Sequence, residues 1–156
     1  MSVKIHPAPV RKTFTVAASA EKAFRVFTEG FDRWWPRTHH LGEVPLARAV
    51  LEPGQGGRWY EVREDGSECQ WGEVLAWEPP KRLLLAWRIT TEWKADPAVY
   101  SEIEVTFTSL AEGETRVDFE HRGLEGLGAG AQALRKQLDG GWVAILDQFR
   151  AAATIA

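Results

Sequence analysis

The feature that most constrains this chain is its last long apolar-periodic run, from about Ala129 to Ala153. Leu134, Leu138, Trp142, Ile145, Phe149 and Ala152 recur at spacings of three and four, the period of one helix face. Arg135, Lys136, Gln137, Asp147, Gln148 and Arg150 fall mostly off that stripe. A long helix with so broad and bulky a stripe must lie across a large apolar surface. Nearly everything between Arg11 and His121 reads as strand, so that surface is a sheet. Gly140-Gly141 interrupts the run, and each glycine costs roughly 1 kcal/mol relative to alanine inside a helix. Either the helix weakens there, or Asp139 caps a second helix beginning near Gly140. The stripe stays in phase across the pair, which favours one helix with a weak point.

Taken in order, Met1–Pro9 reads as a loose lead-in, and Val10–Val16 alternates as a first strand. Ser19 is placed to cap a helix whose face is Ala20, Ala23, Phe24 and Phe27, with Glu21 in the first turn, where a carboxylate suits the helix dipole. Gly30 breaks this helix. Phe31, Trp34 and Trp35 continue as a second short one that stops at Pro36. Six strands follow, over 47–51, 57–63, 68–78, 82–90, 100–110 and 115–121. Asp65-Gly66, Pro79-Pro80 and Glu112-Gly113 supply turns between them, Asp-Gly being a strong hairpin signal. Short turns between consecutive strands imply an antiparallel sheet with one wet face. The expected architecture is α+β: a seven-stranded curved antiparallel sheet wrapped around a long C-terminal helix, with two short helices after the first strand. Such a grip closes less tightly than a sandwich and leaves a cavity between sheet and helix.

The 156 residues suit a single domain, 1–156, with one core. The formal net charge is −3 and no Lys/Arg run occurs, which argues against a nucleic-acid partner. With no apolar stretch of about 18 residues and no signal-peptide pattern, a cytoplasmic chain without a membrane span is expected. Cys69 is the single cysteine, which excludes an internal disulfide and a multi-cysteine zinc site. It begins a strand without an obvious base and reads as a structural thiol. The compositional anomaly is eight tryptophans, a residue suited to cavity walls as well as cores.

Four stretches, in this order, are similar to a known family. They are Phe14-Thr15-Val16 followed by Ala20-Glu21-Lys22-Ala23-Phe24; the run Gly72 to Leu83 with its Trp77-Glu78-Pro79-Pro80 turn; Glu104 to Phe107, Gly113 to Val117 and His121 to Leu124; and Gly141-Trp142 with Leu146 to Phe149. Together they resemble the START-like, pollen-allergen-like (SRPBCC) superfamily, and within it bacterial homologues of the activator of the heat-shock-protein-90 ATPase. The resemblance covers almost the whole chain and implies the helix-grip fold reached from periodicity. It does not imply one function, since a fold hosts many.

The chemistry is therefore sought in the residues. Gly54-Gln55-Gly56-Gly57 opens no helix and reads as a turn, not a phosphate loop. His39-His40 lacks the spacing of a metal site and reads as loop, so no metal and no cofactor are expected. Trp59 with Glu61, Trp71 with Glu73, and Leu85 with Trp87 are each two apart and so share a strand face. If those faces point under the long helix, Glu61 and Glu73 are carboxylates in a tryptophan-lined cavity, costly to ionise unless paired. Arg58, Arg88 and His121 are candidate partners. A one-residue slip would instead put the glutamates in water. His121 ends a strand in phase with Val117 and Phe119, where a satisfied buried histidine competes with a catalytic one. The candidate ligand-binding set is Trp34, Trp35, Trp59, Glu61, Trp71, Glu73, Trp87 and His121. Phe27, Phe31, Trp34 and Trp35 are expected to form a lid at one mouth, with Gly30 as its hinge.

Three functions follow. The first is binding of a hydrophobic small molecule in the cavity, possessing a polar or cationic group. The second is an enzyme of the cyclase or dehydratase kind using Glu61, Glu73 or His121 as acid or base. The third is a module that touches a chaperone. A monomer and a homodimer are both compatible with the sequence.

Overall fold

The structure, a computed structural model, describes residues 7–154. Residues 1–6 of the expected lead-in lie outside the described residues. The elements run β1 (Val10–Val16), α1 (Ala20–Thr28), α2 (Phe31–Trp34), β2 (Leu46–Leu51), β3 (Arg58–Arg63), β4 (Glu68–Glu78), β5 (Arg82–Trp87), β6 (Ser101–Ala111), β7 (Glu114–Arg122), a short 3-10 turn (Leu124–Leu127) and α3 (Ala131–Thr154). The strands form one antiparallel sheet in the order β1-β7-β6-β5-β4-β3-β2. It curls as a half-barrel around α3.

Local chemistry sets the ends of these elements. The Ser19 side chain accepts from the Lys22 N–H and caps α1. The α1–α2 break falls at Gly30, where a Cβ would sit 2.7 Å from the Val26 carbonyl. Asp32 on α2 accepts from the Ala49 N–H, tying the helix pair to β2. Lys12 on β1 reaches Asp139 on α3 at 2.8 Å.

Strand alternation decides the two faces of the sheet. On β6 and β7, Ile103, Val105, Phe107, Val117, Phe119 and His121 turn inward and are buried. The outward residues form a charged lattice in which Arg122 contacts Glu102, Glu104 and Glu120, and Arg82 contacts Glu104. α3 is continuous through Gly140-Gly141. It buries Leu134, Leu138, Trp142, Ile145, Leu146 and Phe149 against the sheet and the short helices. Each such side chain contributes about 1.5–3 kcal/mol of transfer free energy, which outweighs the helix-propensity cost of the two glycines.

Strand β4 departs from simple alternation twice. Trp59 pairs with Gly72 and Tyr60 with Gln70, so Trp71 is an extra residue. Val74 pairs with Leu85 and Ala76 with Leu84, so Leu75 is a second. Each bulge shifts the inward phase by one. Gly72 is required at the first: a Cβ there would lie 1.7 Å from the Ala86 carbonyl oxygen.

Candidate ligand cavity

At the open end of the grip lies a cavity of about 300 Å³. β4 and β5 contribute Trp71 and Trp87, with Ile89 just beyond. The segment after α2 contributes Trp35 and the run Thr38 to Leu41, and the 90s loop contributes Trp93. α3 contributes Gln137, Leu138, Gly141, Trp142 and Ile145. Five of the lining side chains are indoles, and none is Asp, Glu, Lys or Arg. Gly141 faces open space: a Cβ built on it meets nothing within 4 Å.

Of the eight side chains proposed from sequence, Trp35, Trp71 and Trp87 line this cavity. The others lie behind its walls or away from it. Trp34 packs between Phe27, Phe31 and Phe149 and donates from Nε1 to the Val26 carbonyl at 3.0 Å. Phe27, Phe31, Trp34 and Trp35 are all at most 5% exposed. This corrects the expected lid: the segment is part of the core, and only Trp35 reaches the cavity. Trp59 sits behind the walls, its ring centroid 5.5 Å from Trp71 and 5.6 Å from Trp87. The indole N–H groups of Trp59 and Trp87 are buried with no acceptor among the described residues, at a cost of about 1–3 kcal/mol each.

Glu73 is carried to the face away from α3, paired across the strands with Ala86 and held by Arg88 at 2.7–3.0 Å. The expectation that it shares a face with Trp71 fails because the bulge at Trp71 intervenes. Glu61 does point inward and is fully buried, but it is used up structurally. Its Oε1 accepts from the Leu41 N–H and from Trp71 Nε1, both at 2.8 Å, and its Oε2 accepts from Arg63 Nε at 3.2 Å. Arg63 also donates to the Leu41 carbonyl at 3.1 Å. Glu61 therefore positions two wall residues, Trp71 and Leu41, without reaching the cavity itself.

His121 is likewise fully buried and satisfied. Indole Nε1 of Trp142 can only donate, so His121 Nδ1, 3.2 Å away, accepts. That assigns the proton to Nε2, which donates to Ser101 Oγ at 2.9 Å, and Ser101 in turn donates to the Trp87 carbonyl at 3.2 Å. Burial pushes the imidazole down to about 3. It is neutral near pH 7 and shielded from the cavity by Trp87 and Trp142, so it is no acid or base for a ligand. The unfolded chain takes up this proton below about pH 6.5 and the native protein does not. Stability from this group is therefore full above that value and falls as pH drops. Between about pH 7 and pH 5 the wild type should lose about 2 kcal/mol more than a His121→Gln variant. Urea titrations at the two pH values check this, and equal pH slopes would refute it.

The polar groups that do line the cavity come from two loops and from the polar side of α3. Thr38 Oγ1 and His39 Nδ1 share a hydrogen bond at 3.1 Å, and Trp35 Nε1 donates to the His39 carbonyl at 2.7 Å. Burial, and then the neighbouring His40, hold the His39 imidazole below the ordinary histidine value. Trp93 Nε1 donates to Gln137 Oε1 at 3.3 Å across the mouth. The adjacent His39-His40 pair was a visible signal for this rim; Trp93, Gln137 and Gly141 gave none. Cys69 is partly buried, and burial followed by the charge of Glu61 pushes its thiol up, away from nucleophilic use.

A curled seven-stranded sheet gripping a C-terminal helix, with an aromatic cavity at its open end, places the molecule among helix-grip proteins of the START-like superfamily. Residues 17–154 match the family model described as Activator of Hsp90 ATPase homolog 1-like protein, and the chain belongs to that family. Among solved structures it is similar to an anthrahydroquino-gamma-pyrone synthase, with 41% identity, 94% of this chain and 97% of that one covered, and a TM-score of 0.67. It is also similar to a self-sacrificing resistance protein from Micromonospora echinospora, with 35% identity, 95% and 94% covered, and a TM-score of 0.70. An Aha1 dimer from Colwellia psychrerythraea, at 17% identity with 95% and 97% covered and a TM-score of 0.57, shares the fold. No curated protein matches the chain. Among the described residues no helix is long and apolar enough to cross a membrane.

Proposed function

We propose that this chain binds a planar, uncharged, polycyclic aromatic small molecule in the cavity at the open end of the grip. The observation that carries this reading is the wall itself: five indoles from five parts of the chain, with no Asp, Glu, Lys or Arg among the lining side chains. Indole faces stack on flat rings, and an ionic ligand would lose its hydration without a charged partner. A volume of about 300 Å³ is at the small end of ligand sites and suits a compact fused-ring system. A relative at 41% identity supports it, being described as a synthase of an anthrahydroquino-gamma-pyrone. The cationic group once expected on the ligand drops out, because Glu73 lies outside and Glu61 is neutralised by Arg63.

The test uses 9-fluorenone as a probe, followed by quenching of tryptophan fluorescence, with Gly141→Phe as the blocking variant. Phenylalanine at 141 would project into the open space and is a better helix former than glycine, so the variant should fold at least as well. Affinity should fall more than about tenfold, or 1.4 kcal/mol, while the unfolding midpoint is not lowered. Undiminished binding by a folded Gly141→Phe protein would place the ligand elsewhere. Mass spectrometry of ligand co-purified from the native source would name the ring system. Conversion of that compound by the purified protein would add catalysis, with His39 as the base available in the wall.

A further inference from the structure

We infer that Gln137 is a specificity-determining residue that donates a hydrogen bond to a carbonyl oxygen on the edge of the bound ring system. This rests on the cavity reading above. An indole N–H can only donate, so the Gln137 amide must present its oxygen to Trp93, and its NH2 group is left facing the other way. Among the described residues nothing accepts from that NH2. Of the other polar side chains of the wall, Thr38 Oγ1 and His39 Nδ1 share one hydrogen bond, while His40 Nδ1 and Trp87 Nε1 are buried without a partner among the described residues. Gln137, exposed at the cavity mouth, thus offers the ligand a neutral donor on an amide oriented by Trp93.

The chain goes to some length to hold that orientation. Trp93 is 41% exposed and is the one non-glycine residue with positive φ, 61°, among the described residues. Such backbone is costly for a bulky residue, and an exposed indole gains little from packing. The Thr90 hydroxyl accepts from the N–H groups of Glu92 and Lys94 and shapes this turn. Thr91 Oγ1 donates to the Ala129 carbonyl at 2.7 Å and ties the loop to the start of α3. So placed, Trp93 both walls one side of the cavity mouth and donates to Gln137. An amide donor at the rim of an apolar slot recognises a ketone or quinone oxygen and gives nothing to a plain hydrocarbon.

Fluorene and 9-fluorenone share one three-ring frame and differ by CH2 against C=O, so the ratio of their affinities isolates this contact. In Gln137→Glu the acceptor for Trp93 is kept and the donor is lost; in Gln137→Leu both are lost. Both substitutions should lower the fluorenone-to-fluorene affinity ratio about fivefold, the effect of one neutral hydrogen bond. Trp93→Phe, which releases the amide, should lower the ratio by less. An unchanged ratio in Gln137→Glu and Gln137→Leu would overturn the role of Gln137 while leaving the cavity as a binding site. Failure of wild type to bind either probe would remove the cavity reading and this inference with it.

Discussion

Replacing Trp142 with alanine is expected to destabilise the protein by about 3–5 kcal/mol, the range for large buried aromatics. The side chain is 3% exposed and sits where α3 meets the sheet. Its ring centroid is 4.6 Å from Phe119, 5.7 Å from Trp87 and 6.2 Å from Trp35. Truncation opens a void beside an existing cavity and removes the one donor to His121 Nδ1 among the described residues. Trp142→Phe separates the two contributions, because it keeps most of the packing and drops the N–H. Its cost should be nearer the 1–3 kcal/mol of one buried unsatisfied acceptor. Equilibrium unfolding in urea reads both values. A Trp142→Ala protein within about 1 kcal/mol of wild type would mean that α3 does not carry the core.

The second large effect is expected at Glu61. Glu61→Ala should cost about 3–5 kcal/mol, as for breaking a buried ion pair by removing one partner. Three donors lose their acceptor together: the Leu41 N–H, the Trp71 indole and the Arg63 guanidinium. Arg63 is 21% exposed and recovers some hydration, whereas the indole and the amide are buried. The damage should also be local. With its anchor gone, the segment 36–45 should lose hydrogen-exchange protection at Leu41, and fluorenone binding should weaken because Trp71 and Leu41 are wall residues. Glu61→Gln retains an acceptor for Leu41 and Trp71 but sets an NH2 against Arg63, so its cost should be intermediate. Wild-type protection at Leu41 in Glu61→Ala would show that the loop is held by packing alone.

These two residues also mark the boundary between what periodicity reveals and what it does not. Trp142 was legible because a helix reports its buried face every three or four residues, and the stripe from Leu134 to Phe149 meets the sheet along its length. Glu61 was legible only as sharing a strand face with Trp59, and the structure turns that face inward. Its partners were not legible: Leu41 lies 20 residues away in a loop.

The sequence by itself determined the element order, the antiparallel sheet and the gripping helix, because each rests on contacts that repeat along the chain at a fixed period. β6 and β7 show this most plainly, alternating without interruption over Ile103 to Phe107 and Thr115 to His121. Only the tertiary structure decided which residues face the cavity. On β4 the inward phase is reset at Trp71 and again at Leu75 by register against β3 and β5, a property of strand pairs that no single strand carries. That is why Trp71 and Trp77 face inward while Glu73, two residues after the first and four before the second, does not. The rim is non-local for the same reason. His39, Trp93, Gln137 and Gly141 are brought together from three distant segments, two of them loops with no period to read, and the third is a helix whose stripe does not distinguish the core from the edge of a cavity.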